Sequence, residues 1–192
     1  MKNLKVHLLW VLLFVFLSGE AILGMGEGEF SKEKAQLIDL NLKRIARKNK
    51  AGVFMRKVTF SEDELNSYLN LIYIKRYTPE VTYVKLSLIK NNYVSGMIKI
   101  KLLGKKYEKI PAFLRDIELE TSGKIECNRY RMRVLFDSIK VNGTKFSPEV
   151  LDEGFGAAQS ASKVKKSMYD WFNFFPGIKN IIVDDKKVTI FY

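Results

Sequence analysis

Apolar and polar positions alternate along this chain with two periods, and the changes of period mark its elements. The longest helical pattern lies in the second half. Leu151, Phe155, Ala158, Ala161, Val164, Met168, Trp171, Phe172 and Phe175 follow in steps of one, three or four, as one broad apolar stripe on a helix does. Ser147 suits the N-cap, Pro148 the first helical position, and Glu149, Asp152 and Glu153 the positive end of the dipole. The pattern predicts a helix from Pro148 to Phe172, ~38 Å long at the α-helical rise. A helix of that length with one apolar face needs a sheet large enough to cover it. A second stripe (Ala35, Ile38, Leu42 and Ile45, with Leu37 and Leu40 beside it) predicts a helix over Ser31–Lys50. A third (Leu65, Tyr68, Leu69 and Ile72) follows Ser61-Glu62-Asp63-Glu64. There Ser61 can cap the Glu64 amide while Glu64 reaches back to Ser61. It must end before Pro79.

Elsewhere the period is two. Val58-Thr59-Phe60 reads as a short strand. Val84, Leu86 and Leu88 alternate with Lys85 and Ser87; Val94, Ile98, Ile100 and Leu102 alternate with Ser95, Lys99 and Lys101. A two-residue turn at Asn91-Asn92 would pair Leu88 with Ser95 and put the apolar faces on opposite sides. A three-residue loop, Lys90 to Asn92, pairs Leu88 with Val94 and Leu86 with Gly96, so the longer loop is expected, with Asn92 left-handed. Gly104 ends this alternation, and Lys105 to Arg115 is a connection without a pattern. Ile117 and Leu119 alternate with Glu118 and Glu120. Tyr130, Met132, Val134 and Phe136 alternate with Arg129, Arg131 and Arg133, giving a strand with one apolar and one arginine face. Ile139 and Val141 lead to a turn at Asn142-Gly143. Ile178–Val183, a turn at Asp184-Asp185-Lys186, and Val188–Tyr192 form a closing hairpin.

The N-terminus is of another kind. Lys2 and Lys5 precede ten apolar residues, Leu8 to Leu17, which suit a signal-peptide core and are too few to span a bilayer. Gly19-Glu20-Ala21 supplies small residues for cleavage near Ala21. Residues 1–21 are therefore expected to be a signal peptide and 22–30 a short linker. The alternative is an uncleaved anchor through Ile22, Leu23 and Met25, which would put Glu20 in the membrane at a cost. No cysteine closely follows the run, so a lipoprotein anchor is not expected. The expected location is exported, in the periplasm or cell envelope.

Charge and composition narrow the chemistry. The 192 residues carry a net charge of +12, which favours anionic membrane surfaces, anionic polymers or nucleic acid. Cys127 is the only cysteine, so no intramolecular disulfide forms. His7 is the only histidine and lies in the leader, which removes histidine metal sites and Ser-His or Cys-His nucleophiles from the mature chain. Capping explains Glu62, Asp63 and Glu64; a turn explains Asp184-Asp185; a hairpin turn is the first reading of the sequon Asn142-Gly143-Thr144. Cys127 reads as a small packed or partly exposed residue, since nothing near it in sequence supplies an imidazole. No GxGxxG, GxSxG or P-loop occurs. No catalytic residues, metal or cofactor are expected.

The positive charge clusters in two places. Between Ser31 and Lys57 there are nine Lys or Arg against two acids, with Lys43, Arg44, Arg47 and Lys48 close together. Arg129, Arg131 and Arg133 form the second group. Both can hold anionic head groups; both are equally what an ordinary solvated face looks like. Nucleic acid is not the expected partner, because the chain has neither a helix-turn-helix nor an aromatic RNA-binding strand signature, and export argues against it.

Val58-Thr59-Phe60-Ser61-Glu62-Asp63-Glu64-Leu65-Asn66-Ser67-Tyr68-Leu69 resembles the "strand, Ser/Thr, acid, Leu-Asn" opening of several small exported bacterial envelope proteins. Phe175-Pro176-Gly177-Ile178 before a final hairpin is similar to their ending. One such group is the lipomannan-elongation factor family of mycobacteria. The likeness covers roughly residues 58–192, in loose pattern, and implies a tubular lipid-binding-like fold with a curved antiparallel sheet wrapped around a long helix.

The expected fold is thus α+β, one domain over 31–192 with a curved antiparallel sheet around the 148–172 helix. The expected function is a non-enzymatic binder or carrier of lipid or another long apolar ligand. Leu151, Phe155, Ala158, Val164, Met168 and Trp171 would line its groove, with Leu86, Leu88, Val134 and Phe136 opposite. The alternative is a basic envelope scaffold with a dry core, which binds an anionic polymer or membrane through its surface.

Overall fold

Strand alternation and hairpin register build the larger of two antiparallel sheets. The computed structural model describes residues 30–48, 56–78, 80–104, 108, 115–128, 130–158, 167–174 and 177–192, with backbone alone at 47–48 and 154–158. The leader over 1–21, residues 22–29 of the linker, most of the Lys105–Arg115 connection, Arg129, Val164 and Phe175-Pro176 lie outside these residues. In chain order the elements begin with α1 (Lys32–Lys48), β1 (Lys57–Ser61) and α2 (Glu62–Tyr68). A π-helical turn (Leu69–Tyr73) and α3 (Ile74–Tyr77) continue from α2. Then come β2 (Val81–Ile89), β3 (Tyr93–Lys101), β4 (Asp116–Asn128), β5 (Arg131–Val141) and β6 (Thr144–Phe146). The chain closes with α4 (Pro148–Ala158), β7 (Phe172–Asn173), β8 (Asn180–Asp184) and β9 (Lys187–Phe191).

The six-stranded sheet runs β2-β3-β4-β5-β6, with β7 also paired to β5; the three-stranded sheet runs β1-β9-β8. The fold is α+β with a mostly antiparallel sheet, as the alternation predicted. Leu88 faces Val94 and Leu86 faces Gly96, so the three-residue loop is present. Asn92 is left-handed at φ 60°, and so is Asn91 at φ 66°. Asn142 (φ 49°) and Gly143 (φ 77°) make the expected turn between β5 and β6. The closing hairpin turns on Asp185 and Lys186, with Asp184 already paired to Lys187.

The inward residues of the large sheet (Val84, Leu86, Leu88, Val94, Ile98, Leu119, Ile125, Met132, Val134, Phe136) are buried. Across from them lie Phe60 of β1 and Ile181, Val183, Val188 and Ile190 of the small sheet, also buried. The core is therefore a layer between two sheets. β8 lies against β2, β3 and β4, and α2 against β2. On α1 the predicted seam holds: Ala35, Ile38 and Ile45 are buried and Leu42 packs against the core. The capping box is present in full: the Glu64 N–H donates to Ser61 Oγ and the Ser61 N–H to Glu64 Oε2.

Two expectations are corrected. The 25-residue helix over Pro148–Phe172 is not formed as one element. The described helix is 11 residues, Pro148–Ala158. Residues 167–170 turn: the Ser167 N–H donates to the Asp170 carboxylate (2.9 Å), and Asp152 accepts from the Met168 N–H (2.5 Å) and the Ser167 hydroxyl (3.0 Å). Phe172 then pairs with Met132 and Asn173 with Arg131, which gives that end of β5 a strand partner. Phe172 and Phe174 are both buried, at the two-residue spacing of a strand. Among the described residues the sheet packs on the β1-β9-β8 sheet and α2. The second correction is Tyr130, expected on the apolar strand face. It sits instead in the β4–β5 turn at φ 70°, 58% exposed.

Candidate functional site

A buried apolar ligand would need room between the two sheets. Leu65, Leu86, Leu88, Val94, Ile125, Met132, Ile181, Val183, Val188 and Ile190 surround an apolar cavity of about 40 Å³ between the two sheets. An engineered cavity that holds benzene is roughly 150 Å³, so this cavity as it stands is too small for an acyl chain.

The predicted groove residues divide. Leu86 and Leu88 line that cavity, facing the closing hairpin. Val134 and Phe136 are buried on the same sheet face. Met168 is buried, Leu151 packs partly buried against the core, and Tyr169 meets the Phe136 ring edge-on at 6.4 Å. Leu151, Met168 and Phe136 therefore share the β5 end of the core. The Phe155 and Ala158 side chains, and Val164 altogether, lie outside the described residues. Trp171 points elsewhere: its ring lies 4.8 Å from the Arg133 guanidinium.

The outer face of the large sheet is largely charge-balanced. In direct cross-strand register, Lys99 meets Glu118 (3.2 Å), Lys101 meets Asp116 (3.7 Å) and Lys140 meets Glu120 (2.9 Å). Arg133 meets Glu126 (2.6 Å), so of the predicted arginine group it is held between a carboxylate and an indole face. Arg131 is exposed at the start of β5, beside the exposed Tyr130, and Arg129 is outside the described residues. The Tyr93 hydroxyl donates to the Asp137 carboxylate on the same outer face, which pushes the phenol's pKa up.

The second cationic group stands on α1. Lys43 pairs with Asp39, one turn before it, and Arg76 of α3 holds the same carboxylate at 3.2 Å. Burial pushes Asp39 up, but the Lys43 and Arg76 hydrogen bonds outweigh it and hold the carboxyl below its ordinary range. Arg44 is exposed, and the Arg47 and Lys48 side chains are outside the described residues. α1 packs on α2, beyond the β2 edge of the sheet, whereas Arg131 and Arg133 are on β5, three places along the strand order. The structure therefore makes the two predicted basic groups separate surfaces. Leu37 and Leu40, beside the seam of α1, are turned outward: Leu40 is 65% and Leu37 47% exposed. Their positions, 33-37-40-44 in helical steps, set them on a column that starts at Glu33 and ends at Arg44, opposite the buried seam.

Cys127 has the packed character expected of it. Its thiol donates to the Ile181 carbonyl at 3.4 Å, and burial pushes its pKa up. The sequon asparagine, Asn142, is engaged by the turn, its side-chain oxygen accepting from the Glu118 N–H at 2.7 Å. Among the described residues no group of three or more Cys, Asp or Glu is placed to hold a metal, and no helix is long and apolar enough to cross a membrane. Comparison with known proteins finds no matching family model, no matching curated protein and no matching solved structure.

Proposed function

We propose that this chain is an exported, non-enzymatic envelope protein that works through its surface, by binding an anionic membrane or polymer with its cations. The observation that carries this reading is the pairing of charges on a strongly basic chain. The sheet's outer cations Lys99, Lys101, Arg133 and Lys140 are matched by cross-strand acids, while α1 and the start of β5 present Arg44 and Arg131 outward. A net charge of +12 adds long-range attraction to any anionic surface. A chain whose only histidine is His7, and whose only thiol is packed and raised in pKa, fits binding better than nucleophilic chemistry.

Carriage of an apolar ligand is the second reading. It is favoured by the gathering of Leu151, Met168, Phe136 and Tyr169 at the β5 end of the core. It agrees with the resemblance of residues 58–69 and 175–178 to exported lipid-binding-like envelope proteins. The test of the first reading is co-sedimentation with vesicles of phosphatidylcholine alone and with added phosphatidylglycerol, across a salt series. Binding that needs the anionic lipid and fades with salt supports it; equal binding to both vesicle types overturns it. Native mass spectrometry of the purified protein tests the second reading. A retained lipid at one per chain would place carriage ahead.

A further inference from the structure

We infer that the outward column of α1 is a membrane-docking face, and that an anionic lipid bilayer, not a soluble polyanion, is what it meets. This rests on the surface-binding reading and names its site and its partner. An exposed leucine by itself means little, since much of any folded surface is apolar. α1 is different, because it carries two apolar columns. Ala35, Ile38 and Ile45 are buried in the core; Leu37 and Leu40, one turn apart, look away from it. The other exposed large apolar side chains, Ile89, Leu103, Tyr130, Val150 and Ile182, are scattered singly over other elements, whereas α1 alone of the described elements carries two.

The charge around the column decides the occupant. Lys43 and Arg44 flank Leu40 on the C-terminal side, and Arg47 and Lys48 continue the same helix in sequence. Two acids oppose them. Asp39 is held by Lys43 and by Arg76. Glu33 stands at the far, N-terminal end of the column, accepting from the Ser31 hydroxyl at 2.7 Å. The Leu40 end of the column is therefore apolar and cationic together. A soluble polyanion satisfies the cations and gives the leucines nothing. An anionic bilayer satisfies both, with phosphates at the level of Arg44 and an acyl boundary just beneath, where an interfacial helix buries its apolar side.

The test uses the full chain and its variants, so residues 1–29 contribute equally throughout. Leu37→Gln/Leu40→Gln keeps helix propensity and removes only exposed apolar surface. It should lower binding to phosphatidylcholine–phosphatidylglycerol vesicles by ~10-fold or more, from the apolar area withdrawn, and leave binding to soluble heparin unchanged. Arg44→Gln should weaken both. Leu40→Trp should acquire fluorescence quenched by brominated acyl chains in anionic vesicles. Vesicle binding that is unchanged in the double variant, with no brominated-lipid quenching, overturns the docking face. If that same vesicle binding is lost in Arg131→Gln, surface binding stands and belongs to the β4–β5 turn. Failure of the parent chain to bind either vesicles or heparin overturns the surface-binding reading itself. Leucine-dependent capture of a protein, without vesicle binding, overturns the bilayer as partner.

Discussion

Asn66 and Leu86 are bonded as neighbouring strands bond, although Asn66 stands on a helix. The Asn66 Nδ2 donates to the Leu86 carbonyl (2.8 Å), and its Oδ1 accepts from the Leu86 N–H (2.7 Å). One turn on, Asn70 does the same for Val84 (2.6 and 2.9 Å). One turn back, Glu62 accepts from the Leu88 N–H (2.6 Å), and the Leu88 carbonyl accepts from the Lys186 N–H (2.9 Å). Every second residue of an antiparallel edge strand points its N–H and C=O outward. Two strand residues span roughly 6.7 Å and four helical residues about 6.0 Å. A polar column at 62, 66 and 70 therefore keeps step with 84, 86 and 88, and the edge of β2 is closed by side chains. An open edge would be a template for another chain.

This pairing predicts a specific cost. Asn66→Ala should leave the Leu86 N–H and C=O buried without partners and destabilise the fold by ~2–4 kcal/mol, at about 1–3 per orphaned group. Asn66→Asp should depend on pH. Its carboxylate would face the Leu86 carbonyl, so the folded state favours the protonated acid and the folded pKa lies above the unfolded value of about 3.9. The variant should be most stable below that unfolded value and lose stability as pH rises through the folded one. Urea midpoints across pH check this; a variant that gains stability towards neutrality would contradict the pairing.

Asp39 behaves in the opposite sense. Lys43 and Arg76 hold its carboxyl below the ordinary Asp range despite the burial that pushes it up. A depressed folded pKa contributes stability that is present above the unfolded value of about 3.9 and is lost as pH falls through the folded one. Asp39→Asn should cost ~1 kcal/mol or less at neutral pH, because both cations are largely exposed. That difference should vanish on acidification below the folded pKa. Parallel acid titrations of the two proteins by circular dichroism provide the check.

Gly123 tests the sheet itself. It sits where the register shifts past the extra residue Asp137 of β5, and a Cβ there would stand 2.3 Å from the Leu135 carbonyl oxygen on β5. Backbone cannot swing aside as a side chain does. Gly123→Ala should cost ~1–3 kcal/mol or more through strand displacement, read as a lower melting midpoint. Gly143 has open space around it and needs only its positive φ of 77°, so Gly143→Asn should cost less.

Much of this fold was legible in the alternation. Val84, Leu86 and Leu88 against Val94, Gly96 and Ile98 allow one register that keeps both apolar faces together, and that register is present. Ser61 and Glu64 announce their helix start by chemistry that needs no tertiary context. The 148–172 segment was misread because the steps of its apolar residues suit a helix, while the decisive bonds are long-range. Asp152 turns Ser167 and Met168, and β5 recruits Phe172. The pair Phe172 and Phe174, two apart and both buried, was the strand signal within the stripe. The roles of Asn66 and Asn70 were not legible, because an asparagine on a helix tells nothing of the strand edge beside it. On α1 the spacing did show the buried seam of Ala35, Ile38, Leu42 and Ile45, but not that Leu37 and Leu40 stay exposed.

The last prediction concerns Asn92, a turn residue that joins the two sheets. Asn92 closes the β2–β3 loop at φ 60°, its carbonyl accepts from the Ile125 N–H (2.8 Å), and its N–H donates to the Val183 carbonyl (3.1 Å). Its Oδ1 accepts from the Val183 N–H at 2.7 Å. Asn92 thus does two separable things, holding a left-handed backbone and bonding β8. Asn92→Gly keeps the first and loses the second, which should cost ~1–2 kcal/mol for the half-buried Val183 N–H left alone. Asn92→Ala loses both and should cost ~1–2 kcal/mol more, since a Cβ is disfavoured in the left-handed region. Asn92→Asp keeps an acceptor for Val183 and tolerates the backbone, so it should stay nearest the parent at neutral pH. The expected order of urea midpoints is parent, Asp, Gly, Ala. If Gly proved as stable as the parent, the bond to Val183 would contribute nothing, and the turn would be holding the sheets together by backbone geometry alone.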